Sequence, residues 1–373
     1  MSRTRTASGA ANTALSKAKS AKQDEFYTQL SDIETELRHY RDQLRGKVVL
    51  CNCDDPYESN FFSYFALHFN ALGLKKLIAT CYDGSSIAGR RLPLFEIEGL
   101  KPEAKQPYAV EITNVPDVNG DGAIDLTDVQ LLLKTDGNVS HTLKGDTDYG
   151  AGDFRSAECV AFLKQADVVV TNPPFSLFRE YVAQLIHYGK KFLIIGNMNA
   201  VHYSDIFGLF RDNKLWLGET IHSGDREFRV PDHYPLQAAG YRVDSSGNKY
   251  IRVKGVRWFT NMDNPNRHEQ LPLYKRYSPA EFPTYDNFNA IEVTKASEIP
   301  CDYDGLMGVP DSFMDKFNPD QFELVGIPFG NLGKAIGVTK NFRGRTDISI
   351  TKDGVSRCPY SRIIIKRKMA LES

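Results

Sequence analysis

Four short apolar runs constrain this chain more than anything else in it: Lys47 to Cys53, Leu77 to Tyr82, Asp167 to Thr171 and Lys191 to Gly196. Each has the length of one strand and is apolar on both faces, as a strand buried on both sides must be. Helical spacing fills the gaps. Leu30, Ile33, Leu37, Tyr40 and Leu44 share one face of a predicted helix that Gly46 ends. Further helices are predicted over residues 60–72, 157–165 and 178–188. Alternation of this kind predicts an α/β fold around a parallel sheet. Ligands of such sheets bind at the carboxyl ends of the strands. There the sequence places Asp54-Asp55, Asp83 and Asn172.

The rest of the chain departs from this rhythm. Residues 1–22 are rich in Ser, Ala, Thr, Lys and Arg and predict a disordered basic tail. Residues 23–212 predict the α/β domain, interrupted by a turn-rich insertion over 86–150. From 213 to 373 aromatics, Arg, Lys, Pro and Gly dominate, with alternating stretches such as Tyr250 to Lys254, which predicts a β-rich second region. The net charge is -1, so contact with a polyanion would need positive charge concentrated locally. The last forty residues do concentrate it. The six cysteines are scattered and lack metal-ligand spacing, which predicts buried thiols in a reducing compartment. No apolar stretch has the length of a membrane span or of a secretory h-region, so a soluble, cytoplasmic protein without a membrane partner is expected.

Asn172-Pro173-Pro174-Phe175 follows the apolar run ending at Thr171 and precedes a helix. Two prolines remove two backbone donors and fix two φ angles. The Asn172 side-chain oxygen and the Pro173 carbonyl can then accept at one point, which suits the amino group of an aromatic heterocycle. Accepting both of its protons turns the nitrogen lone pair toward an electrophile, and Phe175 can stack on the ring. A base within a duplex would have to be flipped out to reach such a loop. The plain alternative is a stiff turn after a strand.

The segment Thr171 to Tyr181 resembles the catalytic motif of amino-methyltransferases, and more narrowly that of the EcoRI-type adenine-specific DNA methyltransferases. Asp24 to Leu30, Asp54 to Phe61, Gly152 to Arg155 and Phe329 to Gly333 extend the resemblance in order, from about residue 24 onward. The resemblance implies a Rossmann-like S-adenosylmethionine-dependent methyltransferase domain with a C-terminal target-recognition region. It implies methyl transfer from S-adenosylmethionine to the N6 amino group of adenine in a specific sequence of double-stranded DNA, with a cognate restriction endonuclease acting separately. By the same resemblance Phe26, Tyr27 and Thr28 contact the methionine part of the cofactor. Asp54 and Asp55 occupy the cofactor loop, without its usual glycine. Asp83 accepts from the ribose hydroxyls, or Tyr82 before it stacks on the cofactor's adenine, and Asp153 with Phe154 reads that adenine. The residues alone leave two other readings open: the same chemistry on RNA or a protein glutamine amide, and a catalytically idle DNA- or calcium-binding protein.

Within the insertion, Asp117, Asn119, Asp121, Ala123 and Asp128 fall at the ligand positions of a calcium loop, with Gly122 at its sharp turn. The segment before the loop reads as a strand, and Asp128 closes it where Glu is usual. A structural Ca2+ is one expectation, and an empty acidic hairpin is the other. Among the basic residues near the end, Lys340, Arg343, Arg345, Arg362 and Lys366 are expected to meet DNA phosphates and grooves.

Overall fold

The computed structural model describes residues 28–53, 59–81, 107–117, 120, 127–129, 140–230 and 241–368. The chain forms two compact units, one of residues 1–198 and 223–262, the other of residues 199–222 and 263–373.

The first unit is built on the predicted apolar runs. Val48–Cys51 (β1), Lys76–Thr80 (β2), Val168–Thr171 (β5) and Lys191–Asn197 (β6) lie side by side in the order β2-β1-β5-β6, all parallel. Every residue of β1 and β5 is buried, which accounts for their unbroken apolarity. The insertion adds Tyr108–Ile112 (β3) and Ser140–Thr142 (β4) antiparallel to the β2 edge. On the other edge, Val256–Thr260 (β9) pairs antiparallel with β6. The sheet thus reaches past residue 212, where the sequence changes character. Asp225–Val230 (β7) and Lys249–Lys254 (β8) form an antiparallel pair. In β8, Ile251 and Val253 are buried while Arg252 and Lys254 are exposed, matching the predicted alternation.

The helices fall where the spacing puts them. Leu30–Leu37 (α1) carries Ile33 and Leu37 into the core, and Tyr40 and Leu44 continue that face through a break into the short helix Arg41–Leu44. Asn60–Leu67 (α2) starts at Ser59, whose hydroxyl accepts from the N–H groups of Phe61 and Phe62, 3.2 and 3.4 Å away. Ala157–Gln165 (α3) starts in the same way at Ser156, and Phe178–His187 (α4) follows the Asn-Pro-Pro turn. Helix α4 lies close on β6. A Cβ built on Gly196 would come within 2.5 Å of the Phe178 ring, so only glycine lets that ring in.

In the second unit, Phe288–Glu292 (β10), Leu306–Pro310 (β11), Phe322–Gly326 (β12) and Arg362–Arg367 (β13) form a sheet in the order β10-β11-β13-β12, with the short strand Thr284–Tyr285 outside β10. Ile363, Ile364 and Ile365 of β13 are wholly buried at its centre. Ser204–Arg211 (α5) packs on β12, and Gly330–Ala335 (α6) follows the Phe329 segment.

Candidate active site

The order β2-β1-β5-β6 reverses direction at β1. The chain winds outward to β2 on one side and to β5 and β6 on the other. The crevice at the carboxyl ends of β1 and β5 is therefore the topological switch point, where open α/β sheets take their ligands. The residues there are Asn52-Cys53 after β1 and Asn172-Pro173-Pro174 after β5.

Asn172 and Pro173 are buried, and Phe175, 8% exposed, opens a single 3-10 turn over Phe175–Leu177. The Leu177 N–H donates to the Pro174 carbonyl at 3.0 Å, closing the turn that starts α4. Phe178, the first residue of α4, meets Phe259 of β9 edge-on at 4.9 Å. The motif is thus pinned between the end of β5 and the β6–β9 pair.

Asn52 ties the two strand ends together. Its backbone carbonyl accepts from the Thr171 hydroxyl, and its side-chain oxygen accepts from the Tyr181 hydroxyl. Tyr181 is wholly buried, and burial holds its phenol well above the ordinary range, so it remains a donor. The next residue, Cys53, has φ +73, the left-handed conformation that glycine adopts freely. The sequence after β1 lacks the glycine that the resemblance leads one to expect, yet Cys53 takes the glycine conformation.

Asp153 and Phe154 join the same cluster. The Phe154 ring meets Tyr181 edge-on at 5.0 Å, and its carbonyl accepts from Gln184 Nε2 of α4 at 3.1 Å. Burial raises the Asp153 carboxyl, but hydrogen bonds from the Arg155 side chain and N–H outweigh it and leave the group below its ordinary value. Arg155 Nη2 donates to Asp153 Oδ2 at 2.7 Å, and its Nη1 reaches Glu180 at 3.2 Å. Asp153 therefore stays ionised beside a fixed guanidinium. Thr28 is anchored by α2: Asn60 Nδ2 donates to its carbonyl at 2.7 Å. The Thr28 hydroxyl is buried and has no hydrogen-bond partner among the described residues.

Of the other predicted site residues, Phe26, Tyr27, Asp54, Asp55, Tyr82, Asp83, Asn119, Asp121 and Ala123 lie outside the described residues. The calcium expectation gains no support. Among the described residues no group of three or more His, Cys, Asp or Glu is placed to hold a metal. Asp117 instead accepts from the Gly120 N–H at 2.7 Å, a local turn contact, and Asp128 is wholly buried. Lys340, Arg343, Arg345 and Lys366 are exposed. Arg362 departs from the expectation. Its Nε donates to both oxygens of the buried Glu292, at 3.1 and 3.2 Å, so its charge is already neutralised inside the sheet. Sequence reasoning also missed the positioning roles of Asn52 and Tyr181. An amide side chain within the apolar run before Cys53 was the available signal. Cys51, Cys53, Cys81 and Cys159 are buried as expected, whereas Cys301 and Cys358 are only half-buried, and no described helix is long and apolar enough to cross a membrane.

A mixed sheet with a parallel centre, carrying Asn172-Pro173-Pro174-Phe175 at its switch point, is the Rossmann-like fold of the S-adenosylmethionine-dependent methyltransferases. The family profile described as "Adenine-specific methyltransferase EcoRI" matches residues 14–368, and the chain belongs to that family. It is 44% identical to the Type II methyltransferase M.EcoRI of Escherichia coli, over 97% of this chain and 98% of the relative. It is 35% identical to the Type II methyltransferase M.MpnI of Mycoplasma pneumoniae, over 94% of this chain and 97% of the relative. With M.MgeORF184P of Mycoplasma genitalium the identity is 36%, over 94% and 98%. No solved structure matches the chain.

Proposed function

We propose that this methyltransferase transfers a methyl group from S-adenosylmethionine to the N6 amino group of adenine in a specific sequence of double-stranded DNA. The observation that carries the reading is the stiff turn Asn172-Pro173-Pro174, with Asn172 and Pro173 buried, at the carboxyl end of β5 where it adjoins β1. The names of the relatives support a Type II DNA methyltransferase, and the family description supports adenine. A cognate restriction endonuclease would act as a separate protein.

The residues present suit the cofactor. The buried Thr28 hydroxyl is available to a polar group. The Cys53 turn brings backbone to the crevice with a left-handed kink, and Asp153 offers an ionised carboxylate beside the Phe154 ring. Bound S-adenosylmethionine supplies an activated methyl group on a sulfonium, so neither a metal nor a covalent protein intermediate is required. The chain's own contribution is orientation. Asn172 Oδ1 and the Pro173 carbonyl accept from the two N–H groups of the target amine, and Phe175 packs against the base. The target adenine must leave the duplex to reach them.

Incubating the purified full-length chain with methyl-labelled S-adenosylmethionine and unmethylated duplex DNA, then separating the nucleosides, checks this. Label is expected in N6-methyladenine within one sequence context. Label confined to cytosine, RNA or protein, or no transfer at all, would overturn the reading. Asn172→Ala is expected to lower kcat by at least about a hundredfold, as loss of a preorganised polar group at a reacting centre does.

A further inference from the structure

In the second unit, Lys340 and Thr346 face each other across an antiparallel bridge and close a tight hairpin. The Gly344 N–H donates to the Asn341 carbonyl at 2.8 Å, and the Asn341 N–H donates to the Arg345 carbonyl at 2.9 Å. Gly344 has φ +70, which makes this the three-residue hairpin whose turn ends in a left-handed residue. The Asn341 side chain stiffens it from inside. Its oxygen accepts from the N–H groups of Arg343 and Arg345 at 2.9 and 3.2 Å, and its amide donates to Cys358 Sγ at 3.2 Å. Asn341 is buried, while everything the turn displays faces outward.

The display is unusual for a turn. Phe342 stands at the tip with 51% of its surface exposed, between exposed Lys340, Arg343 and Arg345. The Arg343 guanidinium lies 5.0 Å from the Phe342 ring centroid. A lone exposed aromatic needs no explanation. An aromatic held at the apex of a rigid, positively charged hairpin in a DNA-modifying chain has one. Cations draw the tip to phosphates, and an apolar ring gains most by entering a base stack. Because the turn is already ordered by its own hydrogen bonds, insertion carries little ordering cost.

We infer that Phe342 is a wedge that inserts into the base stack of duplex DNA, with Arg343 and Arg345 on the flanking phosphates. The inference rests on the proposed function above and adds to it the residue that disrupts the stack.

The test compares the wild-type chain, Phe342→Ala and Phe342→Leu on two duplexes, one with the target adenine paired and one with it facing an abasic gap. On the paired duplex Phe342→Ala is expected to lose at least about tenfold in kcat/KM, because no ring then replaces the stacking lost at the opened base step. On the gapped duplex, where the base is already loose, the loss is expected to shrink to within about threefold, and the bulky Phe342→Leu is expected to restore most of the paired-duplex rate. Equal activity of Phe342→Ala and wild type on paired DNA overturns the wedge and leaves the methyltransferase reading standing. So does an equal loss on both duplexes, which would mark ordinary binding. A wild-type chain that methylates neither duplex overturns the function first and the wedge with it.

Discussion

The Tyr181 hydroxyl donates to the side-chain oxygen of Asn52, so the helix behind the Asn-Pro-Pro turn is fastened to the end of the central strand β1. Thr171, the last residue before the turn, donates to the carbonyl of that same Asn52. One amide residue therefore fixes both the entrance to the motif and the helix that leaves it.

Tyr181→Phe keeps the ring packed on Phe154 and removes only the hydroxyl. It leaves a buried amide oxygen without its donor, which costs about 1–3 kcal/mol. Urea unfolding is expected to show that loss. Methyl transfer is expected to fall further than the stability change alone requires, because the motif loses its fastening while the fold survives. Unchanged activity in a destabilised variant would mean the bond serves packing only.

Cys53 supplies a second local test. At φ +73 a β-branched side chain clashes with its own backbone, while glycine does not. Cys53→Val is expected to destabilise the chain by about 1–3 kcal/mol and to weaken S-adenosylmethionine binding, read by calorimetry. Cys53→Gly is expected to bind as the wild type does, since relief of the left-handed strain offsets the lost thiol burial.

Local periodicity made much of this molecule legible. Val48–Cys51, Val168–Thr171 and the buried face of Ile33 and Leu37 could be read because strand and helix each impose a short repeat. The position of Asn172 after a buried strand followed from the same repeat. The break between α1 and the helix Arg41–Leu44 was hidden because Tyr40 and Leu44 keep the apolar spacing through it. Partnerships across long separations were also hidden. Asn52 and Tyr181 are 129 residues apart, and no local pattern links them. Arg362 sits in a basic run and reads like a phosphate contact until Glu292, 70 residues earlier, is found against it. Val256–Thr260 resembles its aromatic, basic surroundings in composition, yet it pairs with β6.

The two kinds of arginine in that basic run can be told apart. Arg362→Met strands the Glu292 carboxylate, only 6% exposed, inside the second unit's sheet beside Tyr285. Removing one partner of a buried pair costs about 3–5 kcal/mol, so this variant is expected to unfold at markedly lower denaturant. Arg345→Ala sits on an exposed turn and is expected to stay within about 0.5 kcal/mol of wild type. Its effect should appear in DNA affinity instead, with the dependence of log affinity on log salt becoming shallower by about one unit. The opposite pattern would exchange their roles.

His202 gives the second unit a pH dependence whose sign can be worked out. Burial lowers its pKa from the ordinary 6.5, and the attraction of Asp311, whose oxygen is 3.9 Å from Nε2, only partly opposes this. Its other neighbours among the described residues include Ser361, whose Oγ is 3.1 Å from Nε2, and the Phe329 ring, edge-on at 5.5 Å; neither supplies a compensating charge. The folded state therefore takes up the proton less readily than the unfolded chain. Stability from neutral His202 is fully present above about pH 6.5 and is lost as pH falls toward the depressed folded value. Urea midpoints measured from pH 7.5 to 5 are expected to decline, and His202→Gln, which cannot charge, is expected to remove that part of the decline. If the variant declines as steeply as wild type, the acid sensitivity comes from other groups. If wild type grows more stable toward pH 5, His202 gains its proton on folding, and the attraction of Asp311 outweighs burial.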